Sequence, residues 1–193
     1  MEITLKTNQA VSIASLSEFA QKGRDAHPEL ARVYLSIADG KLKALATDRY
    51  TMASYSIDLE ENVSAELVLS VNACKWLITN VKKTTIGEVV LTKTEDSLVI
   101  TTANGSFNDE LVESEKGRTL GDFIEEKTKE DAKQAYPVKL TVAHLLKLGK
   151  LSSNFGKVEQ VVQTLTPQER ENRAGPVKLQ ADNFSVIIQP RNF

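Results

Sequence analysis

The chain has 193 residues, of which 41% are hydrophobic and 26% charged, ordinary globular usage that excludes disorder throughout and leaves room for one large core or two small ones. Its net charge of -2 excludes a uniformly basic coat but not local basic faces. Cys74 is the single cysteine, which excludes an internal disulfide framework and a cysteine zinc cage and fits a reducing compartment. The apolar runs are short, and the first residues lack the basic and apolar stretches of a signal peptide. The expectation is a soluble, cytoplasmic protein without membrane association.

In chain order, Ile3 to Lys6 is a β-type run, followed by a helical segment with Ile13, Leu16, Phe19 and Ala20 on its apolar face and Gly23 as its stop. Three β-type runs follow, at 33–37, 42–47 and 51–57, with Asp39-Gly40 as a hairpin signal between the first two. The plan then repeats. Residues 67–71 form a strand, Ser70 supplies a helix-start side chain, and Val71, Cys74, Leu77, Ile78 and Val81 recur at three- and four-residue spacing over a helix expected at 72–83. A second meander occupies 88–94, 97–102 and 106–112, with Asn104-Gly105 as a turn.

A third copy begins at 138–142, with a helix expected over 143–151. Strands at 158–165, 176–180 and 184–190 follow, the first two separated by a polar break at 166–175. The sequence therefore reads as three strand-helix-meander modules. Residues 1–112 form a two-module domain, the charge-rich stretch 113–135 a connector, and 136–193 a third, half-domain module.

Two stretches carry a family resemblance. Val33 to Ile37, followed by Asp39-Gly40-Lys41-Leu42-Lys43-Ala44-Leu45-Ala46-Thr47-Asp48-Arg49-Tyr50-Thr51-Met52-Ala53, resembles the middle domain of the bacterial-type DNA polymerase III beta sliding clamp family. Gly175 to Leu179 with Ser185 to Phe193 resembles the family's last hairpin and tail. The resemblance implies an α+β DNA-clamp fold, shortened by the first domain and the opening half of the last. The chain also departs from the family, carrying Arg49 where the family has glycine. So compact a clamp would suit a phage genome, and a bacterial or phage-infected cell as its setting.

Catalytic chemistry finds no support in the residues. Gly156-Lys157 lacks the glycine spacing and following Ser or Thr of a phosphate cradle. His27 and His144 have no ligand-spaced partners, and Glu60-Glu61 and Glu125-Glu126 fall in turn or linker contexts. No enzyme activity, cofactor or metal is expected.

Three surfaces are expected to bind partners. Basic residues off the apolar helix faces, Arg24, Lys75, Lys82, Lys83, Lys147 and Lys150, with Lys22 and His144 beside them, are candidates for sequence-independent contacts to the phosphates of double-stranded DNA. From the resemblance, Thr47, Tyr50, Thr51 and Met52 with Pro176, Ile187, Gln189, Pro190 and Phe193 would wall an apolar pocket. That pocket would take a short peptide from a DNA polymerase or another client protein, with a clamp loader among the implied partners. Val142, Leu145, Leu146 and Leu148 would form an unpaired helix face, whose exposure costs roughly 1.5–3 kcal/mol per large side chain. Pairing with a second chain would cover it, so a homo-oligomer is expected, either a dimer or, when outer edges also meet, a tetrameric ring. The function implied is a processivity factor that tethers clients to DNA. The alternative is a monomeric clamp-fold adaptor or regulator that binds the same clients without encircling DNA.

Overall fold

The computed structural model describes residues 1–23, 25–60, 63–81, 86–112, 147, 149, 162–167, 174–181 and 183–188, and for 162–167, 174–178, 180 and 181 the backbone course alone. The first module runs β1 (Glu2–Lys6), α1 (Thr7–Ser15), a 3-10 turn (Leu16–Phe19), then β2 (Arg32–Ala38), β3 (Lys41–Thr47) and β4 (Thr51–Asp58). The second repeats it with β5 (Ala65–Ser70), α2 (Val71–Asn80), β6 (Glu88–Lys93), β7 (Ser97–Thr102) and β8 (Gly105–Glu110). The last meander is β9 (Val162–Pro167), β10 (Ala174–Ala181) and β11 (Phe184–Ile188).

Each helix is started by local chemistry. Ser70 Oγ accepts from Ala73 N at 3.0 Å at the head of α2, while the Asp109 carboxylate accepts from Ser70 N at 2.8 Å. At α1 the Gln9 side-chain oxygen accepts from Lys6 N at 2.9 Å. Both devices satisfy backbone donors that the first helical turn leaves open. Asp39 and Gly40 both take positive φ, 52° and 70°, as a two-residue hairpin turn with the strands' own twist requires.

The two modules exchange their first strands. β1 pairs antiparallel with β6, and β5 with β2, giving a four-stranded sheet β1-β6-β7-β8 and a seven-stranded sheet β5-β2-β3-β4-β11-β10-β9. The main core lies between the helices and the inner sheet faces, filled by Phe19, Leu5, Ile13, Leu16, Leu35 and Leu77 among others. The exchange ties the modules together because neither can close its sheet alone.

Several expectations shift. The first helix stops at Ser15 and its apolar face continues as a 3-10 turn through Leu16 and Phe19. On α2 the buried stripe is Ala73, Cys74 and Leu77, whereas Ile78, expected on that face, is 40% exposed. Trp76 packs instead on Phe107, with ring centroids 5.6 Å apart. Thr166 and Gly175 lie in strands β9 and β10 rather than in a polar break, because the two strands pair on to Pro167 and Ala174 through a bulge between Ala174 and Val177. Of the third helix, Lys147 and Gly149 fall among the described residues, and both are helical.

Candidate functional site

The turn joining β3 to β4 is held by its own polar side chains. Thr47 Oγ1 donates to Thr51 O at 2.8 Å and accepts from Arg49 N at 3.2 Å. Asp48 Oδ1 accepts from Tyr50 N at 3.1 Å, from Thr51 N at 2.7 Å and from the Thr51 hydroxyl at 2.8 Å. The brace holds Arg49 at φ 80°, a left-handed conformation that a side chain with Cβ rarely adopts and that glycine takes freely.

From the third module's helix, the Lys147 ammonium donates to the Asp48 carboxylate and, at 3.2 Å, to Thr51 Oγ1. It also stands 5.6 Å from the centre of the Phe19 ring, within cation–π reach. Burial raises the Asp48 pKa, but the hydrogen bonds from Lys147 and Thr51 outweigh it and hold the carboxyl below its ordinary value. Lys147, expected among phosphate contacts, is thus half-buried and committed to an internal ion pair.

Beyond the turn, β4 pairs with β11 so that Met52 lies opposite Ile187 and Ala53 opposite Val186. Side chains alternate across a strand. Ala53 and Val186 therefore face the main core, while Met52 and Ile187 join Tyr34, Leu45 and Val68 in a second apolar cluster on the other face, with Val112 packed against it. Met52 is 5% and Ile187 8% exposed. Thr47 and Thr51 are buried, their hydroxyls used within the turn, and Tyr50 is 50% exposed. Pro176 lies in β10. Gln189, Pro190 and Phe193 lie outside the described residues, as do Val142, Leu145, Leu146 and Leu148. The fold thus joins the two stretches that carried the resemblance through the pairing of β4 with β11.

A second polar surface lies at the head of α2, where a groove of about 320 Å³ is lined by Lys22, Arg32, Ser70, Asn72 and Lys75. Lys22 pairs with Glu18 at 2.9 Å, and Arg32 Nη2 lies 3.9 Å from Glu110. Arg32 Nη1 is buried with no hydrogen-bond partner among the described residues. Lys75 is exposed and has no ion-pair partner among them. Of the other cations expected to meet DNA, Arg24, Lys82, Lys83 and Lys150 lie outside the described residues.

The periodicity of the sequence could not disclose Arg32 or the Asp48–Lys147 pair. Arg32 is a strand residue whose groove is closed by a helix from the other module, and Asp48 and Lys147 come from distant parts of the chain. Cys74 is fully buried in the core, and burial, with the Asp109 carboxylate nearby, pushes its thiol pKa strongly upward. Among the described residues, no group of His, Cys, Asp and Glu could hold a metal ion, and no helix is long and apolar enough to cross a membrane.

No protein-family model matches the sequence, and neither does any curated protein. Solved structures do match. A DNA polymerase III beta subunit from Eubacterium rectale superimposes with a TM-score of 0.74 at 15% identity, covering 100% of this chain and 66% of that one. The beta subunit from Thermotoga maritima gives 0.70 at 14% identity and covers 65% of that chain, and the one from Pseudomonas aeruginosa gives 0.69 at 10%, also covering 65%. The chain thus has the fold of the DNA polymerase III beta sliding clamps, over its whole length and slightly under two thirds of theirs.

Proposed function

We infer that the protein is a clamp-like tether, a non-enzymatic module that holds a polymerase or another client protein near double-stranded DNA. The observation that carries this reading is the β4–β11 pairing, which sets Met52 against Ile187, two residues along the chain from the exposed Tyr50. An apolar cluster with an exposed aromatic close by in the chain would suit a short peptide, since a few anchor residues carry most of the energy of such contacts. No cofactor takes part, and the chemistry is association alone.

The cationic groove formed by Lys22, Arg32 and Lys75 supports contact with phosphates. Such contact positions a duplex without reading its bases, so binding weakens steeply with salt. Arg24, Lys82, Lys83 and Lys150 are further candidates for phosphate contacts. The apolar helix face at Val142, Leu145, Leu146 and Leu148 would pair with the same face of a second chain. One observation favours the adaptor reading, in which the clamp fold binds clients without encircling DNA: Lys147 is bound to Asp48 and has left the basic stripe.

Client binding is tested by titrating a fluorescent peptide from a polymerase tail that binds bacterial clamps. Tyr50→Ala should weaken it at least tenfold with an unchanged thermal melt, because Tyr50 is exposed. Met52→Asp is the poorer probe, since placing a charge at a 5% exposed site would unfold the sheet as well. Equal affinity of the Tyr50 variant and the parent would remove the pocket from this surface.

A further inference from the structure

Among the described residues, two besides the glycines take positive φ, Asp39 at 52° and Arg49 at 80°. Asp39 belongs to the residue types that visit this region, because a short polar side chain can hydrogen-bond locally, and it sits in a two-residue hairpin turn with Gly40. Arginine has no such local compensation. At Arg49 the conformation is imposed by the turn: Thr47 Oγ1 accepts from its N–H at 3.2 Å, and Asp48 Oδ1 accepts from the next two backbone N–H groups. A strained residue that its surroundings over-determine points to a use for the side chain held there.

Charge and exposure say what that use is. Arg49 is exposed, and so is Tyr50, the next residue. The other side chains of the turn are spent internally. Thr47 and Thr51 are buried with their hydroxyls bound inside the turn. The Asp48 carboxylate, 20% exposed, is paired with the Lys147 ammonium, 23% exposed, so these two charges compensate each other. From Thr47 to Thr51, the turn therefore offers solvent an aromatic ring and one uncompensated cation, adjacent in the chain.

A guanidinium is a planar fork of donors that matches the two oxygens of a carboxylate, and it keeps its charge at any working pH. A phosphate would fit it as well. The place of Arg49 favours the carboxylate, because it is next to Tyr50 and three residues before Met52, the two residues of β4 and its turn on which client binding was argued. The cations that face a phosphate-sized groove, Lys22, Arg32 and Lys75, come from other elements.

We propose that Arg49 is a specificity residue, which selects client peptides carrying an aspartate or glutamate close to the segment that meets Tyr50. The proposal rests on the reading of this turn as a client site and deepens it by naming the charge of the client. Pairing of Asp48 with Lys147 serves the same end, since an uncompensated carboxylate beside Arg49 would repel an acidic peptide.

The test uses the polymerase-tail peptide as a scanned set, in which each position flanking its apolar anchor carries glutamate in one member and glutamine in its twin. Fluorescence titrations compare the parent with Arg49→Gln, which removes the charge but keeps a side chain at the strained position. The parent should favour the glutamate twin at one or more positions by about two- to fivefold, the size of an exposed charge pair. That preference should vanish in Arg49→Gln, and in about 1 M salt, where the screening length falls to ~3 Å. Affinity for the glutamine twins should stay as in the parent. Equal binding of all twins by the parent, a preference that survives Arg49→Gln, or a loss of the glutamine twins as well would each overturn the proposal. Arg49→Gln weakening retention on DNA with peptide affinities unchanged would overturn it in favour of a phosphate. Tyr50→Ala separates the two levels: if it weakens every twin while the parent shows no preference, the client site stands and the role of Arg49 falls, whereas a parent that binds no twin removes both.

Discussion

The turns that precede β4 and β8 use the same threonine device and differ in everything added to it. Thr47 Oγ1 accepts from Arg49 N at 3.2 Å and donates to Thr51 O at 2.8 Å. Thr102 Oγ1 accepts from Asn104 N at 3.2 Å and donates to Gly105 O at 3.1 Å. The second turn relieves its backbone with a glycine, Gly105 at φ 139°, and stays at the surface. The first places Arg49 at φ 80° and holds it there through Asp48, whose second oxygen is taken by a lysine of the third module. Strain is kept where surrounding contacts over-determine it, and here it lies beside Tyr50 in the chain. The second turn reaches only the end of its own module's helix, where Asn104 Nδ2 donates to Asn80 O at 2.7 Å, whereas the first also pairs with Lys147, far along the chain.

Breaking that brace should have the largest effect. Asp48→Ala removes the acceptor for two backbone N–H groups and a hydroxyl, and leaves the half-buried Lys147 ammonium unpaired. A loss of about 2–4 kcal/mol in urea unfolding is expected. Thr102→Ala, at the exposed sister turn, should cost less than about 1 kcal/mol. Equal costs would mean that the two turns do the same work.

Gly105 tests the other half of the contrast. A Cβ there meets no atom within 4 Å, so the penalty for Gly105→Ala is conformational alone, about 1–2 kcal/mol by chemical denaturation.

The ion pair sets a pH signature of similar size. The folded pKa of Asp48 is depressed. Its contribution is therefore complete above the unfolded carboxyl value, near 3.9, and fades as pH falls through the lower folded value. Lys147→Met should weaken that acid dependence and cost about 1–2 kcal/mol at neutral pH, seen by repeating the urea titration from pH 7 to pH 2. An unchanged acid limb would place the pair outside the stability of the fold.

The smallest change should be a gain. Arg49→Gly relieves the left-handed residue and should stabilise the chain by about 0.5–1 kcal/mol, read as a higher melting temperature. A lower one would mean that the Arg49 side chain holds the turn.

Much of this was legible in the sequence because short-range chemistry decides it. Asp39-Gly40 is a two-residue turn, Ser70 caps α2, and β7 spans the residues its alternation indicates. Strand neighbours were not legible. A period of two fixes which face a residue takes and says nothing of which strand lies beside it, so the exchange of β1 and β5 between modules leaves no mark in the pattern. Lys147 shows the same limit for the site. Three-residue spacing placed it in a basic stripe with His144 and Lys150, but a carboxylate brought close by the fold captured it. Thr47 and Thr51, expected in the wall of a peptide pocket, are buried and use their hydroxyls within the turn. Tyr50 alone among the described wall residues stands half exposed.

The proposed function is a clamp-like tether, and a tether that encircles DNA would be topologically linked to it, whereas an adaptor would not. The direct measurement is retention on nicked circular DNA during gel filtration in salt high enough to suppress simple phosphate contacts, before and after one cut linearises the circle. Retention on the circle and release once the ends are free is the expected result for an encircling tether. Equal retention on both forms, or none on either, would contradict it.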